Sequence, residues 1–154
     1  MTIDTARLTR TLIAMRKHYE DAIRAGRAGD VIRSGGIIRR LHEFVVDQLQ
    51  SAGVKPDYIQ TETALEGYFK SKSQDILVER VKGEPLLSVN VRSQLSSIQK
   101  NYDTLYERLI AEAVNLHERY SSLVCGYIYL LPTIGYNSDA MKGGRVARTE
   151  HFNW

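Results

Sequence analysis

The sequence predicts an α/β domain: a small mixed β-sheet with flanking helices. Three observations carry that reading. Apolar residues recur at three- and four-residue spacing over 4–25, 37–53 and 101–120, the signature of amphipathic helices. Two short segments rich in Val, Leu and Ile, 75–80 and 86–92, flank the turn-forming run Lys82-Gly83-Glu84-Pro85 and read as a β-hairpin. Residues 122–131, SLVCGYIYLL, form a continuous apolar run closed by Pro132, which suits a buried central strand.

The elements follow in order. Leu8, Leu12, Met15, Tyr19 and Ile23 make the first helical stripe, ended by Gly26 and by Gly29-Asp30. Gly35-Gly36 marks a bend before a second stripe of Ile37, Leu41, Phe44, Val45 and Leu49, with Gly53 as its stop. Residues 54–72 show no clear period and contain Pro56 and Gly67, so a loop with at most a short strand is expected. After the hairpin, Leu105, Leu109, Ala113, Leu116 and Tyr120 share one helical face, with Asn101 or Asp103 as the cap. Beyond Pro132 the chain turns Gly- and Asn-rich and basic. A single domain over 1–154 is expected, with N-terminal helices at 4–53, a hairpin-helix-strand core at 65–132 and a C-terminal tail at 133–154.

Composition narrows the function classes. At 154 residues the chain is long enough for a real core, and 25% charged with 43% hydrophobic residues argues against disorder. One cysteine excludes an internal disulfide framework and a four-cysteine zinc site. Histidines 18, 42, 117 and 151 stand at no zinc-ligand spacing. Cys125 lies inside the apolar run, where a structural thiol is expected rather than a nucleophile. No run approaches the roughly 18 apolar residues of a membrane span. The polar and acidic start MTIDTARLTRTL is unlike a signal peptide, so a cytoplasmic protein is expected. A net charge of +3 is compatible with nucleic acid without requiring it.

Register arithmetic points to one group of residues. A turn centred between Lys82 and Gly83 puts Asp75 opposite Asn90. Alternation sends Leu87, Val89 and Val91 to the core and gathers Ser88, Asn90 and Arg92 on the other face. Asp75, Asn90 and Arg92 then cluster at one end of the hairpin, with Ser93 and Gln94 continuing from it. An acidic, an amide and a guanidinium group together make either a site or a solvated hairpin face.

The segment GYFKSKSQDILVERVKGEPLLSVNVRSQLSSIQKNYDTLYERLIAEA resembles the catalytic region of type II restriction endonucleases of the XhoI kind. Those enzymes carry a Gly-Tyr-Tyr/Phe-Arg stretch, an Asp opening a strand, a hairpin, a Glu-x-Lys-Ser-Gln motif and an Asn-Asn-Phe-type stretch leading into a helix. Gly35, Gly36 and the Ala52-Gly53 helix end are similar to that family too, so the likeness covers about 30–120. It implies a PD-(D/E)xK nuclease fold, a three-layer restriction-endonuclease-like core. By the resemblance Asp75 matches the first metal-binding carboxylate, Asn90 stands in place of the second, and Arg92 stands in place of the catalytic lysine. Ser93 and Gln94 match the following Ser-Gln, and Asn101 and Tyr102 match the Asn-Asn-Phe start. Hydrolysis of DNA phosphodiesters with Mg²⁺, two-fold paired subunits and backbone contacts from Arg33, Arg39 and Arg40 are what it implies. Folds of this kind add further elements after the point where this chain ends, so a minimal or truncated core is expected.

The departures fall on the chemistry. Glu to Asn removes a negative charge from the Mg²⁺ ligand set. Lys to Arg installs a cation that cannot act as a base. The expected metal ligands are Asp75 and Asn90, and the expected catalytic group is Asp75, Asn90, Arg92 and Gln94. DNA contact is expected from Arg92, Ser93, Gln94, Asn101, Arg39 and Arg40. A migrated carboxylate could restore the charge: Glu79 on the hairpin, or Glu107 or Glu112 on the following helix. The other reading is an inactive DNA-binding or protein-interaction module that keeps the fold.

Overall fold

The computed structural model describes the backbone of residues 2–94 and 98–151, and the side chains of these except 33, 98–102, 138 and 149–151. Five helices and six strands are assigned among them. The chain divides into two compact units: 1–48, 93–96 and 130–154 form one, and 49–92 with 97–129 form the other.

The first unit is built on helix α1 (Thr5–Arg24). Asp4 caps it by accepting the Arg7 N–H at 2.8 Å, and Gly26 at φ +67° ends it. Its buried face is Met15, Tyr19, Ala22 and Ile23, the C-terminal half of the expected stripe. A short helix α2 (Ala28–Arg33) follows, which the sequence did not suggest. Helix α3 (Arg39–Ser51) buries Leu41, Phe44 and Val45. The tail is more structured than its composition implies. Strand β5 (Ile134–Tyr136), helix α5 (Ser138–Lys142) and strand β6 (Arg148–His151) return to α1, with Tyr136 edge-on to Tyr19 at 5.3 Å.

The second unit holds a four-stranded sheet, ordered β1 (Ile59–Glu66), β2 (Ser71–Val81), β3 (Glu84–Ser93), β4 (Val124–Leu130). Strands β1, β2 and β3 run as an antiparallel meander. Helix α4 (Ile98–His117) carries the chain on to β4. Gly126 lies against Ser88 and Val89, and the Gln94 N–H donates to the Leu130 carbonyl. Positions on β3 and β4 therefore rise together, the pair is parallel, and the sheet is mixed, as expected. Leu77, Leu65, Leu116 and Leu123 form the cluster that joins sheet and helix.

Three element expectations need correction. Residues 59–66, without a legible period, form a full strand at the edge of the sheet, in which only Thr63 and Leu65 alternate with exposed Glu62, Ala64 and Glu66. Helix α4 begins at Ile98, ahead of the Asn101 or Asp103 cap. The apolar run 122–131 holds a strand, but β4 is last in the sheet order rather than central. Its residues are half-buried and Val124 is 61% exposed. A continuous apolar run signals burial on both faces, and here packing on one face of an end strand suffices to shield it partly.

Candidate functional site

The hairpin register is the one the turn requires: Ile76 pairs with Val89, Leu77 with Ser88 and Val78 with Leu87. Gly83 at φ +86° closes the turn between Val81 and Glu84. One step beyond Ile76–Val89 the backbone ladder gives way to side chains. The Asp75 N–H donates to Asn90 Oδ1 at 3.0 Å. The Val91 N–H donates to Asp75 Oδ2 at 2.7 Å. Each strand thus supplies a short polar side chain to the other's backbone, which satisfies groups that a ladder would otherwise pair.

The alternation of faces breaks at the same place. Thr61 pairs with Ile76 and Thr63 with Gln74, and Glu62 between them stands at φ +50°. Strict alternation would turn Gln74 away from Leu77, Ser88 and Asn90. Instead Gln74 Oε1 accepts hydrogen bonds from Ser88 Oγ and from Asn90 Nδ2, the latter at 2.8 Å. Leu65, paired with Lys72, likewise shares a cluster with Leu77. The faces therefore exchange between Gln74 and Ile76, with Asp75 at the exchange.

Around it lies a closed polar group. Asn90 is 1% exposed and Gln74 is 0% exposed. Asn90 Nδ2 also donates to Glu112 Oε1 at 2.8 Å, so α4 brings a carboxylate onto the strand face. Arg92 Nη1 donates to Asp75 Oδ2 at 2.5 Å. Burial works against the Arg92 charge, but the bond to Asp75 and the charges of Asp75 and Glu112 outweigh it and hold the guanidinium more firmly protonated. The Glu112 charge reaches further. Burial first, and Glu112 second, push up the Cys125 thiol and the Tyr127 hydroxyl on β4. A thiol held neutral is no nucleophile.

The predicted residues divide. Asp75, Asn90, Arg92 and Glu112 come together. Glu79 is placed elsewhere, accepting from Gln60 Nε2 at 2.7 Å, and Glu107 is exposed on α4. Ser93 and Gln94 fall in the first unit, as do Arg39 and Arg40, both exposed on α3. The side chains of Arg33, Asn101 and Tyr102 lie outside the described residues. Ser88 was placed on this face by alternation without being assigned to the group, and Gln74 escaped sequence reading altogether. The signal was the polar run Ser73-Gln74-Asp75 abutting Ile76-Leu77-Val78, which no simple alternation accommodates.

As the group is arranged, the Asp75 oxygen beside Arg92 is already committed and is not open to Mg²⁺. Mg²⁺ demands hard, preferably anionic oxygens in octahedral array. Here the Asp75 Oδ2 lone pairs already serve a backbone N–H and a guanidinium. Asn90 Oδ1 serves the Asp75 N–H, and its Nδ2, a donor, faces Glu112. A permanent cation from the chain stands at the carboxylate.

Comparison with family models, with curated proteins and with solved structures gives no match for this chain.

Proposed function

We propose that the protein is a restriction-endonuclease-like module that binds DNA through its phosphate backbone without cleaving it. The observation that carries this is the Asp75–Arg92 ion pair. It engages one oxygen of the carboxylate that hydrolysis would need, and it leaves Arg92 half-exposed beside the strand end. A guanidinium offers five N–H donors, so one bond to Asp75 leaves others for a phosphate. The basic balance of the chain agrees with such a partner. The three-layer nuclease core and two-fold pairing belong to this reading.

A second reading, DNA phosphodiester hydrolysis with a divalent metal, has one observation in its favour. Glu112 reaches Asn90 and restores a carboxylate where the resemblance lacks one.

One experiment tests both. Supercoiled plasmid is incubated with Mg²⁺ or Mn²⁺ and the wild type, Asp75→Ala, Glu112→Gln and the double variant Asn90→Glu with Arg92→Lys. The non-hydrolytic reading expects cleavage in none of the first three, with plasmid retarded on a gel by the wild type. Wild-type cleavage abolished by Asp75→Ala and by Glu112→Gln establishes the second reading. Cleavage gained only in the double variant establishes a lapsed enzyme.

A further inference from the structure

The loop Gly67–Lys70 between β1 and β2 combines two properties that rarely coincide. Its backbone is held tightly. Asn115, buried on α4, binds it four times: its carbonyl accepts the Tyr68 N–H at 2.8 Å, its Oδ1 accepts the Phe69 and Lys70 N–H groups at 2.8 and 3.1 Å, and its Nδ2 donates to the Lys70 carbonyl at 2.9 Å. Gly67 packs so closely on Asn115 that a Cβ there would fall 2.0 Å from Nδ2. Yet the two large side chains that this clamp positions are turned outward. Tyr68 is 65% exposed and Phe69 is 71% exposed. Their rings stand edge to face, with centroids 4.9 Å apart at 86°. Exposed Lys70 follows directly, and half-buried Lys72 two residues later.

A clamp of this kind removes the ordering cost that a flexible aromatic loop would meet on binding. Aromatic faces beside lysines match the chemistry of unstacked nucleotides, whose bases stack on rings and whose phosphates take cations. Protein interfaces, in contrast, are depleted in lysine at their cores. We propose that the Tyr68–Phe69 loop is a stacking platform for unpaired DNA bases, with Lys70 on the adjacent phosphate. This rests on the DNA-binding reading above, and it assigns a second contact, apart from the Asp75–Arg92 group.

The test uses the full chain and fluorescence anisotropy with two probes, a labelled oligothymidylate and a labelled duplex. The variants are Tyr68→Ala with Phe69→Ala, and Lys70→Ala. All three side chains are exposed, so the variants keep the fold, which thermal melting checks. The double variant is expected to bind oligothymidylate roughly 5- to 150-fold more weakly per stacked base lost, with duplex affinity little changed. Lys70→Ala is expected to flatten the salt dependence. Phe69→Trp should retain binding and show indole fluorescence quenched by oligothymidylate. If oligothymidylate affinity is unchanged in the double variant while the wild type binds duplex, the platform is refuted and the DNA-binding reading stands. Wild-type protein that binds neither probe overturns both. A wild-type dimer in light scattering that the double variant loses, with unchanged oligothymidylate binding, gives the loop to a contact between copies and overturns the proposal.

Discussion

Asp75 and Arg92 are joined across neighbouring strands, the guanidinium Nη1 2.5 Å from the carboxylate Oδ2, at the point where the β2–β3 ladder ends. The same carboxylate oxygen takes the Val91 N–H. Asp75 therefore closes the hairpin end mechanically as well as electrostatically. Removing its cation strands a carboxylate that is largely shielded from water. Arg92 itself is partly solvated, which moderates the effect. Arg92→Met is expected to lower stability by about 1–3 kcal/mol in urea unfolding. Arg92→Lys should recover only part, because a lysine lacks the planar fork.

Asn90 ties four groups together: the Asp75 N–H, Gln74, Glu112 and, through Gln74, Ser88. Asn90→Leu fits the volume and removes every bond. Buried partners left unsatisfied cost about 1–3 kcal/mol each, so the variant should lose at least about 2 kcal/mol. A double-mutant cycle with Glu112→Ala, which removes the acceptor, is expected to show coupling, since the two share a bond. Strict additivity would mean that the Asn90–Glu112 contact contributes nothing.

Gly67 meets Asn115 at a distance that no side chain tolerates. Gly67→Ala must displace the clamp, at about 1–3 kcal/mol, typical of overpacking. Gly143→Ala is the control: the nearest atom to its Cβ is 3.5 Å away, and its thermal midpoint should hardly move.

Leu77 lies in the apolar cluster with Leu65, Leu116 and Leu123, whereas Val124, at the start of strand β4, is 61% exposed. Leu77→Ala is expected to cost about 2–5 kcal/mol. Val124→Ala should stay within about 0.5 kcal/mol. A large loss at Val124 would show that the end strand is covered in solution.

Glu20 supplies the pH dependence. Burial pushes its carboxyl up, but bonds from Arg148 and Tyr136 and the Arg16 charge outweigh burial and hold it below its ordinary value. A depressed carboxyl contributes stability above its unfolded pKa and loses it as pH falls through the folded pKa. The advantage of the wild type over Glu20→Gln should thus be full near neutrality. It should shrink as pH drops below the ordinary glutamate range, as read from urea midpoints across a pH series.

Much of this was legible in the sequence. Apolar periodicity located α1, α3 and α4, because amphipathic spacing is a local property of the chain. Gly83 and the turn around it set the hairpin register, and the register set Asp75 beside Asn90 and Arg92. Those contacts follow from the pleat once the turn is placed.

What lay beyond reach depends on residues distant in sequence. Strand β1 has no clean alternation, because its pairing with β2 is interrupted at Glu62 and Asp75. The face reversal there turned Gln74 inward, and no period of two foretells it. Among Glu79, Glu107 and Glu112 the sequence offered no choice. Packing of α4 on the sheet selected Glu112. The same packing set Asn115 under the Tyr68–Phe69 loop and made β4 the end of the sheet. Local spacing determines which residues share a face. Only tertiary packing decides what that face meets, and here it placed a guanidinium and an amide at the carboxylate where the resemblance implied a metal.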